Sequence, residues 1–213
     1  CGKDKTSASH DEQGTAPADR LTPHEHAAAH SFIVSHNEQT VTVQLDALNE
    51  KRVYQIKPQR VVVLSGSLLE LWYLAGGTAV GRATQRHSLP KAAEDLPVLG
   101  TFMNPDVEQL IALKPDLVIS AATRSAGKLD QFLENSNIAH LVIDYDTYTA
   151  FHQTLELFGV LVGNPAQANA LARHVEQEVN AITARYDQRE PVLAAVVFSS
   201  SRSLSLQLPD SSV

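Results

Sequence analysis

Apolar and polar positions in this 213-residue chain change their spacing several times, and each change marks a different kind of element. From Thr40, "TVTVQL" alternates with period two, "LNEK" offers a turn, and "RVYQI" alternates again, which predicts a hairpin of half-buried strands. From Pro58 the pattern changes. "QRVVVLS" is a continuous apolar run suited to a strand buried on both faces, "SLLELWYLAGG" is a helix closed by Gly76 and Gly77, and "TAVGRA" is a further strand. A Pro-containing connection follows, then a short amphipathic helix over Asp106–Leu113 in the stretch "NPDVEQLIALKPDLVIS". Pro115 disfavours helical geometry at Lys114, so the chain turns there into the strand around Leu117–Ile119. "AGKLDQFLENSN" and "IAHLVIDY" repeat the helix-to-strand step. Alternating β and α units with short loops imply parallel strands and right-handed crossovers, hence a doubly wound, Rossmann-like α/β lobe from about Val61 to Tyr145.

After that lobe the period becomes helical and stays so. Between Tyr148 and Tyr186 only "GNP" at 163–165 interrupts it, and Ala168, Leu171, Ala172, Val175, Val179 and Ile182 recur at steps of three and four. A helix of some twenty residues is about 30 Å long, enough to run from one domain to another. Beyond it "PVLAAVVFSSS" predicts a new buried strand and "SLSLQL" a short alternating one. The pattern therefore suggests a polar tether over 1–36, an N-terminal α/β lobe over 37–147, a linking helical region over 148–187, and the start of a second α/β lobe over 188–213.

Hydrophobic residues make up 43% of the chain, enough for a real core, and no run approaches the roughly 18 apolar residues of a membrane span. A net charge of −7 without a concentrated basic face argues against a nucleic-acid partner. The single cysteine is Cys1, which rules out a disulfide framework or a cysteine-based metal site within this sequence. "CGKDKTSASHDEQGTAPADR" resembles the mature start of a bacterial lipoprotein, in which Cys1 carries the lipid and a polar tether follows. That start implies an extracytoplasmic protein held to the membrane by its lipid. His10, His24, His26, His30 and His36 fall in the same stretch. Their spacing is irregular and no carboxylate cluster completes a site, so no metal site is assigned.

No catalytic constellation emerges, and the chain does not read as an enzyme. "LSGSLLE" sets Ser65 and Ser67 at a strand-to-helix turn, but the G-x-S-x-G spacing of a nucleophile elbow is absent, as are the glycine-rich phosphate loops. The turn offers hydroxyls and free backbone N–H groups that could hold a ligand oxygen, or one serine could simply cap the helix. In open α/β sheets ligands bind beyond the carboxyl ends of the strands. The segments there carry Arg82, Arg86, His87, Phe102, Met103, Arg124, Tyr145 and Tyr148, cations mixed with apolar faces that would suit a large, partly aromatic anion. Each has a structural alternative: Arg82 paired on the sheet edge, His87 a surface loop residue, Phe102 packed under its own loop.

"PQRVVVLSGSLLELWYLAGG", "AVGRA", "LPVLG" and above all the run from Glu108 to Val118 resemble the first lobe of the substrate-binding proteins of bacterial ABC importers for iron-siderophores, haem and cobalamin. The likeness extends over about residues 40–205. It implies two α/β lobes joined by one long helix, a ligand held between them, and no cofactor. It implies that Glu108 docks onto the membrane permease, although an acidic first-turn residue also favours the helix dipole. Phe102 matches an aromatic residue that lines the cleft in some members, and Gln85–Ser88 a contact segment, with Gln85 where cobalamin binders tend to carry an aromatic. On this likeness the chain is a piece that stops after the first lobe and linking helix. The reading is a lipid-anchored receptor for a ferric siderophore or related metal chelate, with Arg82 and Arg86 suited to an anionic one. Haem, with His87 or a loop tyrosine as axial ligand, and cobalamin are alternatives within the family. A lipid-anchored enzyme acting on a small anionic substrate at Ser65–Ser67, and a zinc or manganese receptor using the histidine-bearing tail, are alternatives from other classes.

Overall fold

Alternation at the start of the described chain yields a three-stranded antiparallel meander of β1 (Ile33–His36), β2 (Thr40–Leu45) and β3 (Glu50–Gln55), in that order. The computed structural model describes residues 32–45, 48, 50–85, 89–123, 126–186, 196–199 and 204–207. β2 and β3 form the hairpin that their alternation predicts, Val41 facing Tyr54 and Val43 facing Arg52 across the register. β1 falls inside the stretch assigned to the tether, a correction to its boundary: four residues are too few to show a period, and the strand is held by its pairing with β2 and by Ile33 against the core. Because side chains alternate, Val41, Val43, Arg52 and Tyr54 all point inward while Val53 is 62% exposed. A cation is thereby aimed at the interior.

The central sheet is built from β4 (Val61–Val63), β5 (Gly81–Arg82), β8 (Leu117–Ala121) and β9 (Ala139–Ile143), all parallel, in the order β5-β4-β8-β9. Val98 bridges to Arg82 and lengthens the sheet at its outer edge. The strand predicted at 78–83 is short because Arg82 and Ala83 turn at once to meet the returning 97–100 segment, through Arg82 N–H to Pro97 O and Thr84 N–H to Gly100 O. That segment makes a two-residue hairpin, β6 (Gly100–Thr101) and β7 (Asn104–Pro105), too small to leave a periodic signal.

Helices cover both faces. On one, Leu68, Leu69 and Trp72 of α1 (Gly66–Leu74) and Leu155, Phe158 and Leu161 of α4 (Tyr148–Val162) pack on Val61, Val63, Ile119 and Leu141. On the other, Leu110 of α2 (Val107–Ala112) and Leu133 of α3 (Ala126–Asn135) meet Val62, Leu64 and Val118. Alternate residues of β4 and β8 thus feed two separate cores, which is why these two strands read as unbroken apolar runs. Trp72 sits fully inside, edge-on to Phe158 with ring centroids 5.2 Å apart, and donates its indole N–H to Thr78 O.

α4 ends at Gly163, whose φ of +78° is the left-handed cap that glycine accepts most easily. Asn164 then accepts from Gln167 N–H, and Pro165 opens α5 (Pro165–Tyr186), a helix of about 33 Å at ~1.5 Å per residue. The chain divides into two compact units, Cys1–Ala172 and Arg173–Val213, with the division inside α5. In the first, Ala168, Leu171 and Ala172 add to the core. In the second, β10 (Val196–Ser199) pairs antiparallel with β11 (Leu204–Gln207). Among the described residues no helix is long and apolar enough to cross a membrane.

Candidate functional site

The strand order reverses between β4 and β8, since the chain leaves β4 toward β5 and leaves β8 toward β9. Side chains diverge beyond the carboxyl ends at such a point, and a crevice opens there. The first unit has one at this place, a cleft of about 730 Å³. The turn after β4 supplies Leu64, Ser65, Gly66 and Ser67, and α1 adds Glu70; the ends of β5, β8 and β9 bring Thr84, Gln85, Ala121 and Tyr145, and the β6–β7 hairpin brings Thr101 and Phe102. Its size is that of a small-molecule site.

Ser65 occupies the N-cap position of α1 in extended geometry, φ −131° and ψ 135°, yet its side chain does not cap the helix. Its hydroxyl instead lies 3.2 Å from the Tyr145 hydroxyl, tying the turn after β4 to the segment after β9. Ser67 is exposed one position into the helix. Across the cleft the Gln85 carboxamide lies directly against Gly66, so close that any Cβ at 66 would overlap it. A side chain at 66 would push this carboxamide, the end of a flexible side chain, away from the turn. Phe102 stands at the hairpin tip, 51% exposed, where Asn104 N–H to Thr101 Oγ1 and Asp106 N–H to Leu99 O fix the turn. Glu70 was not singled out from sequence, but Gly66, Ser67 and Glu70 follow one another on a helical face, which is the signal that would have found it. It is the one formal charge among the described lining residues.

Three residues of the anticipated site, Arg82, Met103 and Tyr148, stand outside the cleft lining, Tyr148 stacked on Phe151 of its own helix. Arg82 is 9% exposed and does not line the cleft; its Nε donates to Ala93 O at 2.9 Å, one terminal nitrogen to Ala83 O at 3.3 Å and the other to Glu94 O at 3.1 Å. The guanidinium is consumed in bracing the 89–99 connection, the edge pairing set against the ligand role. Met103 is exposed beside Phe102 without lining the cleft. Arg86, His87, Arg124 and Cys1 lie outside the described residues, as do His10, His24, His26 and His30. Glu108 is exposed in the first turn of α2, behind an N-cap in which Asp106 accepts from Gln109 N–H at 3.0 Å. Among the described residues no group of three His, Cys, Asp or Glu side chains could hold a metal ion.

A second polar constellation went unnoticed in the sequence. The inward Arg52 grips Asp130 of α3 with two hydrogen bonds of 2.6 Å and also contacts Glu50. Asp130 Oδ1 lies 2.9 Å from His140 Nδ1, His140 Nε2 lies 2.8 Å from Ser120 Oγ, and Tyr54 donates its hydroxyl to the His140 carbonyl at 2.7 Å. Burial holds the His140 imidazole below its ordinary value, outweighing the pull of Asp130. Burial also works against the Asp130 carboxylate, but hydrogen bonds from Arg52 and His140 prevail and keep it below its usual range. His140 is thus neutral, its Nδ1–H donating to Asp130 and its Nε2 accepting from Ser120. The connectivity is that of a hydrolase triad. Yet Ser120 and His140 are buried and neither lines the cleft, so no substrate reaches the hydroxyl. At Ser65 the situation is reversed: the hydroxyl is at the cleft, but its recorded partner is a phenol rather than a base. Neither serine is an activated nucleophile.

A family profile described as periplasmic binding protein matches residues 61–206. A substrate-binding lipoprotein of an ABC transporter from Bacillus subtilis strain 168, itself uncharacterized, is 29% identical over 142 residues, covering 64% of this chain and 45% of that protein. A vitamin B12-binding protein of Salmonella typhimurium is 28% identical over 127 residues, covering 60% of this chain and 47% of that one. Among solved structures, the periplasmic catecholate-siderophore binding protein of Vibrio cholerae superposes with a TM-score of 0.66 at 24% identity, over 79% of this chain and 61% of that one, a likeness of fold. The chain spans about half the length of the curated relatives it matches.

Proposed function

The chain belongs to the periplasmic binding protein family, and from that membership we propose that it forms one wall of a receptor that captures a metal chelate for an ABC importer. The observation that carries this reading is the cleft at the switch point, large enough for such a ligand and lined by hydroxyls, one carboxamide, the Glu70 carboxylate and the exposed ring of Phe102. A surface of that kind binds without chemistry. Ser65, Ser67, Thr84, Thr101 and Tyr145 supply hydrogen-bonding hydroxyls to a ligand periphery, and Phe102 supplies an apolar face at little entropic cost.

A ferric siderophore or related iron chelate is the ligand proposed first, since Gln85 presents a carboxamide to the cleft rather than a ring. With Arg82 committed elsewhere, an anionic form of that ligand would draw on Arg86. The Salmonella relative favours cobalamin as a second reading. Delivery runs through Glu108, which docks on the permease, and Cys1 carries the lipid that holds the protein outside the cytoplasmic membrane, as the description of the Bacillus relative as a lipoprotein supports.

Titration calorimetry with ferric catecholate, hydroxamate and carboxylate complexes, haemin and cyanocobalamin tests the proposal. One of these should bind saturably, and Phe102→Ala should weaken it about tenfold, the scale of one lost aromatic contact. Binding that ignores substitution at both Phe102 and Tyr145 would move the ligand out of this cleft, and silence across the panel would remove the chelate reading.

A further inference from the structure

The hydrogen-bonded chain from Arg52 to Ser120 ends one residue from the cleft lining. Ser120 precedes Ala121, a lining residue, and β9, which carries His140, runs on to Tyr145, another. The two strands are stitched at that end by Ala122 N–H to Ile143 O at 2.8 Å, and the Ser120–His140 hydrogen bond joins their side chains diagonally, two residues back on β8 and three back on β9. We propose that this chain makes the cleft wall acid-responsive: a proton taken up by His140 from solvent unfastens the carboxyl ends of β8 and β9 and loosens Ala121 and Tyr145.

The argument rests on which groups can accept a proton and which must then give way. In the neutral state each polar atom has a role: Nδ1–H donates to Asp130, and Nε2 accepts from the Ser120 hydroxyl. Protonation turns Nε2 into a donor, so Ser120 must accept from it and its own hydrogen loses its acceptor in a buried place, a state that costs free energy. The surroundings offer few remedies. From β3 the groups facing His140 are Arg52, Glu50 behind it, and Tyr54, whose hydroxyl is already spent on the His140 carbonyl. From α3 there is Asp130, both of whose oxygens are engaged by Arg52; Lys128 and Glu134 of the same helix are exposed. β8 contributes only Ser120, and neither β2 nor the rest of β9 carries a titratable side chain. The strain therefore falls on Ser120, one residue before the carboxyl end of β8, where the sheet meets the cleft at Ala121.

This inference rests on the cleft being the binding wall, but its test needs no ligand, so it can fail while the receptor reading stands. The His140 ring resonances and amide hydrogen exchange of the whole chain would be followed by NMR from pH 7.5 to 4.5, corrected for intrinsic exchange, with Trp72 fluorescence reporting the global fold. Because the loosened wall takes up the proton more readily, protection at Ala122 should fall about tenfold, with the midpoint of the His140 titration, while the amides of α4 stay protected. His140→Asn keeps a donor but cannot titrate, and should abolish the step; Ser120→Ala should leave the His140 titration and remove the step at Ala122. A step that survives in His140→Asn, or a His140 titration with no change at Ala122, overturns the proposal. Where either variant fails to fold, coincidence or separation of the two midpoints in the unaltered protein decides.

Discussion

Arg52 illustrates how one side chain can decide whether a buried charge is tolerable. Alternation along β3 turns it inward, where the guanidinium is satisfied by the fork it makes with Asp130 and by its contact with Glu50. Removing one partner of such a pair leaves the other uncompensated, so Arg52→Ala should lower unfolding stability by about 3 kcal/mol, measured by urea denaturation. The pH dependence follows from the same group. The unfolded histidine protonates near pH 6.5, whereas folded His140 resists, so stability should fall as pH drops below about 6.5. Asp130 has the same sign further down: its contribution is present above roughly pH 3.9 and is lost as the pH falls below that. Thermal melts from pH 8 to pH 3 should show this acid slope, shallower in the upper part for His140→Asn. Little of this was legible beforehand. Arg52, Ser120, Asp130 and His140 come from β3, β8, α3 and β9, and no spacing along one element joins them. Arg82 shows the converse: its position at a strand end suggested a ligand contact, but local carbonyls engage all three of its side-chain nitrogens.

At the scale of elements, spacing performed best where burial was two-sided. β4 and β8 were visible as apolar runs because each feeds two cores, and α2 was visible because its period and its proline corner agree. Lys114 takes φ +49°, and Arg60 donates to the Leu113 and Lys114 carbonyls, so a cation closes the helix at the end where its dipole favours one. β1 and the β6–β7 hairpin were not visible, being short and held by neighbours rather than by a period of their own. α2 also bears the test of delivery. Glu108 is exposed and touches none of the cleft, so Glu108→Arg should leave chelate affinity unchanged within twofold while uptake into cells falls to background. Undiminished uptake would end its assignment to docking.

On the scale of the whole molecule, the first unit holds a complete sheet with both faces covered, and the candidate cleft lies wholly within it. The curated relatives are about twice as long as the matched stretch. The order of the central strands has a consequence in time as well as in space. Val61 of β4 pairs with Leu117 of β8, yet α1, β5, the β6–β7 hairpin and α2 all lie between them along the chain. The middle of the sheet is thus the pairing that closes the longest loop, while β8 and β9, separated by α3 alone, meet across a short one. The crevice opens at that middle pair, so the place where a ligand would rest is among the last parts of the lobe to take shape as the chain folds.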